Sequence, residues 1–415
     1  MSAPTTHRAG RVLTGTPGEE LRDAAVVIDG TTIAWVGPVA DLPAEHGAVV
    51  DHGDDATILP GLIDTHVHLA FDGSAKPVEV MLAADDLERY TIMLRSAREL
   101  LSAGVTTARD LGAPGLLDVR VKQAINAGSA RGPRLLVVNA PITVTGGHCY
   151  FLGGEAETVD GVIQAVRRAR RDGADHIKIM STGGNMTPGT LPAKAQFTPE
   201  EMQAIVDAAH HYGMRVAAHC HGTPGIRNAI NAGVDSLEHY AFTQADGTNR
   251  PDAEVIAMTA QSGQYVCRTV CAALGTFLTY IDKTADEVFE PGLNRRLLDA
   301  GVKVVAGTDA GIDNAPHVEY VYGLAGMAAF GMTNDEVLHS ATALAAESLG
   351  LEGVTGRLAA GLDADVIVVR GNPRADLEAL RDVELVIARG EEYRPEFRSR
   401  RRWNDEVSQP QYVPA

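Results

Sequence analysis

Histidines and carboxylates recur at short spacings in four stretches of this chain, and each stretch could feed a metal centre. Asp64-Thr-His66-Val-His68 sets two imidazoles two residues apart. Strand residues at i and i+2 share a face, so His66 and His68 can chelate one cation. His219-Cys-His221 repeats the spacing, Leu237-Glu-His239 ends a further apolar stretch, and Gly307-Thr-Asp309 supplies a carboxylate. Taken singly, each has a bland counterpart: a histidine bonded to a carbonyl, or an aspartate capping a helix. Taken together they point to a cation, because burying such groups without one leaves costly polar atoms.

Lys178 bears on the number of cations. It lies in His176-Ile-Lys178-Ile-Met180, an apolar strand in which a free ammonium is expensive to bury. An ammonium carries donors and no acceptor, so it cannot ligate. Condensed with CO₂, the amine becomes an anionic carbamate whose two oxygens can bridge two cations. The alternative is a lysine paired with a nearby carboxylate. Gly183 and Gly184 follow shortly after, where bare backbone can approach a substrate closely.

The elements that must hold these residues follow from hydrophobic periodicity. From about residue 61 to 345, short apolar strands alternate with amphipathic helical stretches, as in a parallel sheet built from βα units. Strands are expected at 62–69, 106–111, 134–139, 176–181, 215–221, 236–242, 265–270 and 303–309. Helices are expected at 86–103, 158–171, 199–212, 223–232 and 251–262, with Thr198-Pro-Glu-Glu201 a helix start. The fold class is α/β, a (β/α)₈ TIM barrel over residues 61–349, with an open doubly wound sheet as the alternative. The β-rich ends, 1–60 and 350–415, are expected to combine into one small β-sandwich domain. In such a barrel the reactive groups sit at the carboxyl ends of the strands, where His66, His68, His219, His239 and Asp309 fall.

Bulk properties narrow the partners. The chain of 415 residues carries 54 acids against 36 bases, a net charge of −18, which disfavours nucleic acid and anionic membranes. Its one basic run, Arg398-Ser-Arg-Arg-Arg402, reads as a solvated tail or a subunit contact. The four cysteines form no CxxC pair and the first residues lack a secretory h-region, so a cytoplasmic location is expected. No apolar run approaches a membrane span. The expected partners are a small-molecule substrate and further copies of the chain.

As a set, Leu59-Pro-Gly-Leu-Ile-Asp-Thr-His-Val-His68, Lys178, His219, Leu237-Glu-His239, Gly307-Thr-Asp309 and Gly356-Arg-Leu-Ala-Ala-Gly-Leu-Asp-Ala-Asp365 resemble the amidohydrolase superfamily. The likeness is closest to its imidazolonepropionase-related branch, which holds Xaa-Pro dipeptidases and related carboxypeptidases. It implies two divalent cations, zinc being usual in the group. His66, His68 and Asp309 would hold one and His219 with His239 the other, with carboxylated Lys178 and a hydroxide between them. It further implies attack by that hydroxide on an amide, with Asp309 passing the proton to the leaving amine. His148, in Thr145-Gly-Gly-His148, would polarise the carbonyl. The expected substrates are dipeptides or N-acyl amino acids, followed by carbamates, ureas and other xenobiotic amides.

Departures from the pattern concern the substrate. His221 stands where dipeptidase relatives often carry tyrosine, and Cys149 replaces a glycine. Arg268, in place of an expected proline, could bind a substrate carboxylate or make a structural ion pair. Tyr240, beside His239, is counted with the substrate contacts. Two rivals remain. A mononuclear deaminase or imidazolonepropionase would lack Lys178 and carry an acid soon after His219. A non-catalytic binding relative would have lost ligands.

Overall fold

The computed structural model describes residues 3–274 and 292–403. At the amino end run β1 (Thr5–Leu13), β2 (Glu20–Asp29), β3 (Thr32–Pro38), β4 (Ala48–Asp51) and β5 (Ala56–Pro60). The middle of the chain supplies β6 (Leu62–Val67), β7 (Val105–Asp110), β8 (Arg134–Val137), β9 (Ile177–Met180), β10 (Val216–Cys220), β11 (Ser236–His239), β12 (Tyr265–Cys267) and β13 (Lys303–Val305). The chain then returns through β14 (Val366–Arg370), β15 (Val383–Ala388) and β16 (Glu391–Tyr393).

The fold is mixed α/β with parallel sheets. Strands β6, β7 and β8 form one and β9 to β13 the other, each strand beside its sequence neighbour. No continuous ladder joins the two sheets among the described residues. Scattered backbone bonds do: Thr65 N–H to the Ala306 carbonyl at 3.1 Å at one seam, and Ile142 N–H to the Lys178 carbonyl at 2.8 Å at the other. An isolated parallel bridge accompanies each, Val67 with Ala310 and Ile142 with Ile179.

Every middle strand lies where periodicity predicts one, but most stop early. After β8, β11 and β12 the cause is local backbone. Asn139, His239, Tyr240, Phe242, Thr269 and Asp309 all have φ between 51° and 67°, a left-handed conformation that ends extended pairing. For residues with a Cβ it costs free energy and persists where surrounding structure enforces it. The helices lie close to expectation, with Thr158–Arg171 and Thr223–Ala232 matching end for end. Thr198 caps Pro199–His211 by accepting from the Glu201 N–H, while the Glu201 side chain returns to the cap. No described helix is long and apolar enough to cross a membrane.

The two ends of the chain meet in a single eight-stranded sheet of order β16-β15-β14-β5-β1-β2-β3, with β4 on β1. The weld is β14 against β5, antiparallel, with Val366 opposite Pro60 and Arg370 opposite Ala56. Val12, Val26, Ile58, Val366, Val368 and Ile387 bury together in a core of their own.

The basic run near residue 400 is tied to the body of the fold through its backbone and Arg401, while the side chains of Arg398, Arg400 and Arg402 stay exposed. Glu319 accepts the Arg400 N–H at 2.8 Å, Arg401 Nη1 donates to the Asn314 carbonyl at 2.7 Å, and Trp403 buries against Tyr322 and Phe330. Residues 404–415, the end of the expected composite domain, lie outside the described residues.

Candidate functional site

Lys178, His66 and His219 reach one side of the parallel sheets by strand alternation; Ile177, Ile179 and Ala218 face the surrounding core instead. Strict alternation would send His239 outwards, because Glu238 already faces inwards with Ser236. The left-handed turn at His239 breaks the alternation and swings its ring to the same mouth, and Asp309 arrives by a similar turn after β13. The backbone that ends the strands therefore also aims the ligands.

These residues floor a cavity of about 820 Å³ lined by His68, His148, Lys178, His219, His221, His239 and Asp309. His66 sits beneath, fully buried. His66 Nε2 and His68 Nε2 each lie 3.2 Å from Asp309 Oδ1. One donor atom each from His66, His68 and Asp309 falls within 4.8 Å of the others, and His219, His221 and His239 form a second such group.

The residues fit a pair of cations by the test of unmet polar atoms. His66 Nε2 and Lys178 Nζ are buried without a hydrogen-bond partner. Lys178 is 1% exposed, and burial pulls its ammonium down from the usual range although Glu238 and Asp309 act the other way. Its charge is felt by His68 in one group and by His219 and His239 in the other. Burial would push the Asp309 carboxyl up, but His66 and His68 outweigh it and hold the group well below the usual carboxylate range. The donor set of imidazoles, one carboxylate and a buried lysine amine suits a divalent cation of zinc type.

Ring orientation points the same way. His66 Nδ1 meets Glu238 Oε2 at 2.8 Å, His239 Nδ1 meets Thr269 Oγ1 at 2.9 Å, and His219 Nε2 meets the Gly183 carbonyl at 3.1 Å. Each bond occupies one nitrogen and leaves the other for the centre, the usual support of a metal-binding histidine. Glu238 is held in turn by Arg109 Nη2 at 2.8 Å and Ser236 Oγ at 2.6 Å, and Arg109 Nε donates to the Thr65 carbonyl at 2.8 Å. Asp64 braces the same strand, accepting from Thr308 Oγ1 at 2.6 Å and from the His66 N–H at 3.1 Å. Burial pushes the Asp64 carboxyl up to about 7.

Sequence reasoning missed Glu238, Arg109 and Asp64. Two lay inside motifs already singled out, and an acid beside each histidine motif was the available signal. Arg109 offered none beyond being a charge in an apolar strand.

The expected substrate contacts divide. His148 is 4% exposed on the cavity wall, its ring 4.5 Å from that of His219 and its N–H bonded to Gln196 Oε1 at 2.8 Å. Burial first, then His221, pushes its imidazole down to about 3, so it is neutral. His221 lies half-buried with its ring stacked on His239 at 4.7 Å. Gly183 and Gly184 are absent from the described lining and act one step back. The Gly183 carbonyl orients His219, and a Cβ on Gly184 would overlap the His148 ring. Tyr240 points away: fully buried, its hydroxyl reaches Thr259 Oγ1 at 2.7 Å on the helix Ala253–Ser262. Arg268 is also absent from the described lining, with Nη1 3.4 Å from Asn294 Oδ1.

A model described as the amidohydrolase family matches residues 57–392, and one described as an imidazolonepropionase-like composite domain of bacteria matches residues 24–48. An ochratoxinase of Aspergillus niger is 31% identical, the match covering 91% of this chain and 83% of the relative. An imidazolonepropionase of Streptomyces coelicolor is 27% identical over 88% of this chain and 90% of its own. Among solved structures, a Xaa-Pro dipeptidase with methionine bound in its active site superposes with a TM-score of 0.83. It is 31% identical, covering 94% of this chain and all of the other.

Proposed function

The chain belongs to the amidohydrolase family and is a hydrolase of carbon–nitrogen bonds, and from that premise we propose that it cleaves the amide of a dipeptide or N-acyl amino acid. The observation that carries this reading is the meeting of Lys178, His68, Asp309 and three ring-oriented histidines, His66, His219 and His239, at one cavity. We read the two parallel sheets as the staves of one (β/α)₈ barrel, residues 61–349. The terminal sheet, residues 1–60 and 350–415, is its small companion domain.

His66, His68 and Asp309 would hold one cation, His219 and His239 a second, and Lys178, as its CO₂ adduct, would face both. Two divalent ions, zinc by donor chemistry, supply Lewis-acid activation of water and of the scissile carbonyl when bound. The rest of the work belongs to the chain. Asp309, held as a carboxylate, can take a proton at Oδ2 and return it to the leaving amine. Neutral His148 retains one ring N–H to donate to the carbonyl oxygen as charge develops there. His221, on the same wall, contacts the substrate.

The test is turnover by zinc-loaded protein on a panel of dipeptides, N-acyl amino acids, aryl ureas and carbamates. Amide cleavage abolished by a chelator and restored by zinc is expected. Hydrolysis confined to ureas or carbamates would overturn the proposed substrate class.

The role of His148 has its own check through Gly184. Gly184→Ala drives a methyl into the His148 ring and replaces none of the proposed ligands. The expected result is a fall in kcat of about 10²–10³-fold, the usual cost of a lost oxyanion donor. Metal analysis should find the ion content of the parent; loss of an ion would instead tie His148 to the metal set.

A further inference from the structure

The segment between Thr182 and Gln196 joins the metal floor to the cavity wall. Thr182 pairs antiparallel with Ala195, the Gly183 N–H meets the Lys194 carbonyl at 3.3 Å, and the Gln196 N–H meets the Ser181 carbonyl at 2.9 Å. The pinned loop carries Met186, Leu191, Pro192 and Lys194 to the cavity lining, with Leu191 left 61% exposed.

Its charge is the unusual feature. The chain holds 54 acids against 36 bases, yet beyond Lys178 and Asp309 the described lining carries no carboxylate and a single cation, Lys194. No ion pair engages Lys194 among the described residues, although most cations of this protein are matched to acids. The same lining offers apolar area from Phe71, Met180, Met186, Leu191, Leu274 and Ile312. A cavity of about 820 Å³ is near the upper end for small-molecule sites and exceeds the needs of a small dipeptide.

We propose that Lys194 is the specificity residue of this cavity, anchoring the free carboxylate of a substrate whose bulky apolar body lies along the surrounding wall. The substrate class is then an N-aroyl or N-acyl amino acid with a large hydrophobic group. This rests on the amide-hydrolase reading above. The exposed Lys194 ammonium on the lining, unpaired among the described residues, draws an anion inwards and fixes its orientation, while the apolar part of the lining supplies area without selectivity.

The test uses a stable pair of probes, N-benzyl-L-phenylalanine and its methyl ester, in which the scissile amide is replaced by a methylene-amine. Calorimetry on zinc-loaded protein should find the acid bound about tenfold tighter than the ester, as one charge-assisted contact allows. Lys194→Met should bring the two within about threefold, Lys194→Arg should restore the gap, and Lys194→Glu should reverse it. A tenfold preference kept in Lys194→Met would place the carboxylate on the metal centre and overturn the proposal. So would equal binding, or none, in the parent protein. Cleavage of N-benzoyl-L-phenylalanine, scored on the same preparations, reports separately on the amide-hydrolase reading.

Discussion

Lys178→Ala is expected to purify with about one equivalent of zinc per chain in place of two, and to lose about 10³-fold in turnover. The expectation follows from position. Lys178 Nζ is buried without a partner, and its charge acts on imidazoles of both donor groups. If Lys178 carries the proposed carbamate, truncation removes the one anionic group facing His219 and His239 from that side. Activation by bound cations is worth several kcal/mol, and each 1.36 kcal/mol is tenfold in rate. Metal analysis and steady-state kinetics make the check, and a short carboxylic acid added to the variant should restore part of the activity by standing in for the carbamate. Two tightly held ions with full turnover in Lys178→Ala would remove the bridging role.

Glu238→Ala should be the most damaging single change for stability near the site. Glu238 joins the buried Arg109 guanidinium to His66 Nδ1, and both side chains are almost wholly excluded from solvent. Removing it strands a buried charge, which costs about 3–5 kcal/mol. His66 loses its orienting partner as well, at about 10–100-fold in metal affinity. Chemical denaturation of the metal-free protein isolates the first effect, and zinc competition isolates the second. Glu238→Gln, which keeps the shape and one acceptor, should fall between parent and alanine variant in both. A Glu238→Ala protein as stable as its parent would show that Arg109 finds other compensation.

Much of the site was legible because ligands must lie at strand ends, and strand ends are marked by apolar runs. His66, His68, Lys178, His219, His239 and Asp309 all come together as their motifs implied. Strand lengths were not legible. Periodicity reports which face a residue takes but not where φ turns positive, and it is this turn at Asn139, His239 and Thr269 that shortens β8, β11 and β12. The same turn misled the reading of Tyr240. As the neighbour of a ligand it looked like a substrate contact, whereas the reversal buries it under the helix Ala253–Ser262. Arg268 and the two glycines failed for another reason. Their types fitted a substrate role, and only coordinates distinguish a side chain on the cavity wall from one a layer behind it.

The imidazoles of His66, His219 and His239 are braced by a carboxylate, a carbonyl and a hydroxyl of the protein itself. Little rearrangement should then separate the empty from the loaded receptor. A scaffold so braced suits exchange of the proposed ions: cobalt or manganese loaded into the folded host would serve as optical or magnetic reporters.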